Sequence, residues 1–119
     1  REYWADYYRD ELSEIHWLIL PSVPDGCDHS FQSFVCLVDE NKSPLPRNEL
    51  MKALEAKGIS TRPGTHAVHT LKYYRDEFSM VPEALPGALM CNNHSMAIPL
   101  HNKMSESDIE YVVATLKSI

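Results

Sequence analysis

Apolar positions follow two rhythms along this chain, and the switches between them predict its elements. Trp4, Tyr8, Leu12, Ile15 and Ile19 recur every three or four residues, the spacing that lines one face of a helix. Asp6, Asp10 and Glu14 fall on the opposite face, so an amphipathic helix is expected over about the first 18 residues. Pro21 and Pro24 end that pattern, and Asp25-Gly26 turns the chain. Phe31 to Val38 reads as a strand. Its centre, Phe34-Val35-Cys36-Leu37-Val38, is a continuous apolar run, which predicts burial on both faces rather than on one. A polar loop from Asp39 to Pro46 leads into a second helix, with Pro46 near its first turn, where the missing amide hydrogen costs nothing. Leu50, Met51, Ala53 and Leu54 supply its inner face, and Lys57-Gly58 closes it with a cation followed by a residue suited to a left-handed cap.

The second half is less regular. Ile59-Ser60-Thr61 is expected as a short strand entering a turn at Pro63-Gly64, and His66 to Glu77 as a helix or two helical turns. Glu83 to Met90 is a weaker helical stretch interrupted by Pro86. Met96 to Leu100 reads as a short strand. Ser105 and Asp108 form a capping-box pattern, with Asp in place of the usual Glu or Gln, ahead of the stripe Ile109, Val112, Val113 and Leu116. Helix, strand, helix, short strand, helical connection, short strand, helix is the order of an α+β fold, a small sheet covered by helices in a two-layer sandwich. Residues 1–119 read as one small domain, with 1–20 an N-terminal helix and 21–119 the sheet-and-helix core.

Composition narrows the function. The chain has 119 residues, 44% of them hydrophobic and 24% charged, which suits one modest globular core. A formal charge of -6 repels phosphate backbones, so nucleic acid is not an expected partner. No apolar run reaches the roughly 20 residues that span a bilayer, and no membrane partner is expected. The charged stretch from Arg1 to Glu14 does not read as a secretory leader, and a start at Arg rather than Met reads as a trimmed or truncated product. Cys27, Cys36 and Cys91 have no framework spacing and read as reduced, partly buried thiols of a cytoplasmic protein.

Chemistry concentrates in Arg62-Pro-Gly-Thr-His-Ala-Val-His69. Arg62 can clamp a carboxylate or phosphate with two parallel hydrogen bonds. Thr65, His66 and His69 add hydrogen-bonding groups beside it. The plainer alternative pairs Arg62 with a surface acid, packs one histidine and leaves the other in water. Tyr73 and Tyr74 suit a substrate wall, a subunit contact or the core. His101 and Asn102, after the last strand, can face a cleft or tie down a loop. His66, His69, His94, His101 and the Cys27-x-His29 pair lack the spacing of a zinc site. Scattered glycines exclude the dinucleotide and Walker phosphate loops, no Gly-x-Ser-x-Gly elbow is present, and no carboxylate pair stands out.

The run Gly58-Ile-Ser-Thr-Arg-Pro-Gly-Thr-His-Ala-Val-His69, continued by Leu71-Lys-Tyr-Tyr-Arg75 and resumed at Ile98-Pro-Leu-His-Asn-Lys-Met-Ser105 and Asp108-Ile-Glu-Tyr-Val112, resembles the C-terminal part of the DegT/DnrJ/EryC1/StrS aminotransferases. The likeness extends through Arg47 to Gly58 and the first helix, and so covers nearly the whole chain. It implies the small C-terminal domain of a fold type I enzyme that uses pyridoxal phosphate. The expected partners are the large domain of the same parent chain, a second subunit, and a nucleotide-linked keto-sugar that receives an amino group from glutamate or glutamine. Polysaccharide or cell-wall biosynthesis in the cytoplasm would be the setting. By the same resemblance Arg62, Thr65, His66, His69, Tyr73, Tyr74, His101 and Asn102 lie at or near the substrate cleft. The Schiff-base lysine belongs to the large domain, and Lys42, Lys52, Lys57, Lys72, Lys103 and Lys117 do not have its context. This chain by itself is therefore expected neither to hold the cofactor stably nor to catalyse. The competing expectations are a stand-alone small-molecule-binding or regulatory domain, and a protein-interaction module.

Overall fold

The computed structural model describes residues 1–119. Helix α1 spans Glu2–Leu12 and buries Ala5, Tyr8 and Leu12. It is shorter than the apolar rhythm predicts. Past Leu12 two tight turns (Ile15 N–H to Leu12 O, Leu18 N–H to Ile15 O) straighten the chain, and Leu18–Ile19 becomes strand β1. Leu18 is buried while Ile19 is 53% exposed, the alternation of a strand rather than a helix face. The residues 13–20 expected in the first helix therefore leave it: turns take up the first of them, and Leu18 and Ile19 pair with Val38 and Leu37 of the next strand.

Strand β2, Phe34–Val38, lies at the centre of an antiparallel sheet of order β1-β2-β3. Strand β3 is Ser95–Ile98, and Phe34 faces Ile98 while Cys36 faces Met96. Phe34, Cys36 and Val38 are fully buried, whereas Val35 and Leu37 on the other face are only half-buried, so burial on the two faces is unequal. Burial pushes the Cys36 thiol up to about 12, which keeps it protonated and unreactive at neutral pH. Cys91 is half-buried and Cys27 exposed.

Three helices cover the buried face. Helix α2, Arg47–Ala56, contributes Leu50 and Leu54; helix α5, Glu106–Lys117, contributes Ile109, Val112, Val113 and Leu116; α1 packs against α5. The Tyr8 ring meets Phe34 edge-on at 5.3 Å, and its hydroxyl donates to the Pro99 carbonyl at 2.8 Å, so a buried phenol keeps a partner. Two helix ends follow their sequence signals. Gly58 sits at φ +79°, its N–H bonds to Glu55 O, and the Ile59 N–H bonds to Leu54 O, a Schellman ending with Leu54 and Ile59 both in the core. The Ser105 hydroxyl accepts from the Asp108 N–H while the Asp108 carboxylate accepts from the Ser105 N–H at 2.8 Å. The result is a two-layer α+β fold.

The segment between Val68 and His94 stands outside this core. A 3-10 turn at Val68–Thr70 precedes helix α3, Lys72–Phe78, and another at Pro82–Ala84 precedes helix α4, Pro86–His94. Pro86 opens α4 rather than interrupting it, as its fixed φ and missing N–H favour at a first helical position. Neither α3 nor α4 has a single buried residue. No helix is long and apolar enough to cross a membrane.

Candidate functional site

The Schellman ending drops Ile59 into the core and releases the chain along the free edge of β3. The expected strand at 59–61 is reduced to one bridge, in which Ala97 N–H donates to Arg62 O at 2.7 Å and Arg62 N–H to Ala97 O at 3.3 Å. Two residues on, the Gly64 N–H donates to the Ser95 hydroxyl at 3.0 Å. Gly64 is required by crowding: a Cβ there would lie 2.3 Å from Val35 Cγ1 and 2.8 Å from Ser95 Oγ. The Ala67 N–H then donates to Asn92 Oδ1 at 2.9 Å. The Arg62–His69 loop is thus held at Arg62, at Gly64 and at Ala67, and it displays Thr65 and His66 to solvent between the last two.

The sequence-predicted residues fall into three places. Arg62 and His101 line one open groove of about 780 Å³, between the β3 edge and the start of α5. Ser60, Asp108 and Tyr111 line it too, and were not marked as candidates from the sequence. Arg62 is exposed and makes no ion pair, so its guanidinium is free to receive an anion. His101 Nδ1 accepts from the Lys103 N–H at 3.3 Å, which leaves Nε2–H as the donor. Hydrogen bonds from the Ser105 backbone and hydroxyl hold the Asp108 carboxyl below the usual carboxylate range, so it is an anion on the groove wall. Tyr111 spends its hydroxyl on the Lys57 carbonyl at 2.8 Å. Asn102 is exposed beside His101 but does not line the groove.

Thr65, His66, Tyr73 and Tyr74 occupy the outer excursion instead. Tyr73 and Tyr74 meet edge-on at 5.2 Å, and Phe78 stacks on Tyr74 at 6.0 Å, a small aromatic platform in which Tyr73 is 62% exposed. His69 is only 5% exposed, and its Nε2 donates to the Pro82 carbonyl at 2.8 Å. It fastens the 3-10 turn to the chain before α4.

The donor set does not fit pyridoxal phosphate. An aldimine needs an amine that can lose its proton in a desolvated pocket. No lysine lines the groove, and all six are exposed. The hydrogen bond that Lys117 donates to Glu11 raises the pKa of Lys117, the direction opposite to that requirement. No cluster of three His, Cys, Asp or Glu side chains is gathered for a metal ion.

The chain is thus a three-stranded sheet backed by helices, with an open groove at its edge and an exposed aromatic arm. Its class follows from the sequence match: the DegT/DnrJ/EryC1/StrS aminotransferase family matches residues 1–117, and the chain belongs to that family. Among individual relatives, it is 30% identical over 120 residues to the spore coat polysaccharide biosynthesis protein SpsC of Bacillus subtilis (strain 168), covering 100% of this chain and 31% of that protein. The fold is shared with the aminotransferase TlmJ from Streptoalloteichus hindustanus, at a TM-score of 0.82 and 24% identity over 98% of this chain and 30% of that one. It is also shared with the sugar aminotransferase CalS13 from Micromonospora echinospora, at a TM-score of 0.79 and 21% identity over 98% of this chain and 29% of that one. The chain spans about a third of the length of the relatives it matches.

Proposed function

We propose that this chain is the C-terminal small domain of a pyridoxal-phosphate sugar aminotransferase, and that it forms one wall of the cleft for a nucleotide-linked keto-sugar. The observation that carries this reading is the family match over residues 1–117 in a chain equal to 31% of its relative SpsC. The groove supports it, because Arg62 presents an unpaired cation and His101 a free N–H donor to an open volume suited to part of an anionic ligand. The aromatic arm supports it too. Val68, Leu71, Tyr73, Phe78, Val81, Leu85 and Met90 are each close to half exposed or more, a surface that a larger assembly would cover.

In this reading the large domain of the same polypeptide holds the cofactor, which supplies the carrier for the amino group between glutamate or glutamine and the sugar ketone. A second subunit completes the cleft. The reaction runs in the cytoplasm, within polysaccharide biosynthesis. Thr65, His66, Tyr73 and Tyr74 approach the cleft from the outer side, where His69 holds their segment in shape, and Asn102 approaches it beside His101. The 119-residue chain does not transaminate alone.

Steady-state kinetics of the full-length polypeptide test the reading. Arg62→Ala should raise KM for the sugar nucleotide by about tenfold, the loss expected for one charge-assisted hydrogen bond, with the cofactor absorbance unchanged. A full-length protein that neither binds the cofactor nor transfers an amino group would overturn the reading. An unchanged KM in the variant would remove Arg62 from the cleft.

A further inference from the structure

Arg47 stands at the first helical position of α2, where the helix dipole disfavours a cation, and it is only 7% exposed. A buried charge at such a place needs strong compensation. Its Nη1 donates to two backbone carbonyls, Asn92 O at 3.0 Å and Ser95 O at 2.7 Å, and its Nε donates to Asn48 Oδ1 at 2.8 Å. Glu40 accepts the Arg47 backbone N–H at 2.9 Å and places its negative charge nearby. Burial lowers the guanidinium pKa and Glu40 opposes that shift.

Asn92 and Ser95 also hold the middle of the Arg62–His69 loop, beyond the backbone bridge that joins Arg62 to Ala97. Ser95 Oγ accepts from Gly64 N–H, and Asn92 Oδ1 accepts from Ala67 N–H. One guanidinium therefore holds the backbone at both anchor points, 45 and 48 residues along the chain from itself. The two carbonyls lie where α4 ends and β3 begins, a place where helix carbonyls otherwise lack partners. We propose that Arg47 is the positioning residue of the Gly64–Ala67 part of this loop, setting through Asn92 and Ser95 where Thr65 and His66 are presented. Lysine would not replace it, since a single ammonium lacks the planar fork that reaches both carbonyls and Asn48 together. The consequence for catalysis rests on the aminotransferase reading; the structural claim does not.

Amide hydrogen exchange on the 119-residue chain separates the two. In Arg47→Lys and in Arg47→Met, which keeps the aliphatic volume, the Gly64 and Ala67 amides should exchange at least tenfold faster while the amides of Val113 and Leu116 keep their protection. Protection at Gly64 and Ala67 unchanged in both variants would overturn the proposal, as would a parallel loss at all four sites. The unmodified chain gives an independent check in case neither variant folds. As urea rises, the Arg47 Nε–H should open in one step with Gly64 and Ala67, ahead of α5. Separate opening of the Nε–H would overturn the coupling. In the full-length polypeptide the same variants should raise KM for the sugar nucleotide with kcat and cofactor absorbance little changed. If the exchange effect appears without any transaminase activity, the loop role stands and the aminotransferase reading falls.

Discussion

Single residues carry the largest difference between what the sequence implies and what the fold does with it. Gly64 reads as an ordinary turn glycine after Pro63, yet its neighbours Val35 and Ser95 leave no room for a side chain. Gly64→Ala should therefore destabilise the chain by about 1–3 kcal/mol, the range for overpacking, measured by urea denaturation. Gly87 gives the matched control, since it lies inside α4 with nothing within 4 Å of an added Cβ. Gly87→Ala should stabilise by about 0.5–1 kcal/mol through helix propensity alone. The two histidines of the loop look alike in sequence, but only contact with Pro82 tells His69 from the exposed His66. Nothing local marks Arg47 beyond a cation in the first turn of a helix, a mild conflict with the dipole that is itself a usable signal. Its partners Asn92 and Ser95 are remote in sequence, so the cluster was not legible there.

Elements were legible where local chemistry defines them. The Schellman ending at Gly58 and the capping box of α5 each satisfy exposed backbone groups within a few residues, and both appear where the sequence places them. Ser105→Ala should cost about 1 kcal/mol, the usual loss of a serine cap, read from the urea midpoint. The Asp108 carboxyl adds a pH dependence. Its folded pKa is depressed below the unfolded value of about 3.9. The stabilisation is therefore present above that value and is lost as pH falls through the lower, folded pKa. Wild-type stability should drop more steeply in that acid window than that of Asp108→Asn, in matched urea titrations. Where pairing is non-local, sequence reading falters. Strand β1 has two residues, too few for any periodicity, and exists because Leu18 and Ile19 face Val38 and Leu37. The run at 59–61 was expected as a strand, but the chain forms a single ladder bridge to β3, at Arg62.

At the scale of the molecule, the α+β class and its core were readable from apolar rhythm alone, because Leu50, Leu54, Ile109, Val112, Val113 and Leu116 all point where that rhythm predicts. The candidate site was readable only in part. Its residues divide between the groove and the outer arm, and what would bring them together lies outside this chain in the proposed enzyme. The arm fits that reading: no residue of α3 or α4 is fully buried, and Tyr73, Phe78, Leu85 and Met90 stand exposed along it. An isolated chain of this kind should self-associate as concentration rises, which sedimentation velocity would detect as a mass increase. The most direct test of the fragment reading is the mass of the natural polypeptide carrying this sequence, taken under denaturing conditions from cells that make it. The coverage of SpsC, 31%, predicts a polypeptide roughly three times as long as this chain. A product of 13.6 kDa would contradict the reading and leave the groove to a stand-alone binding domain.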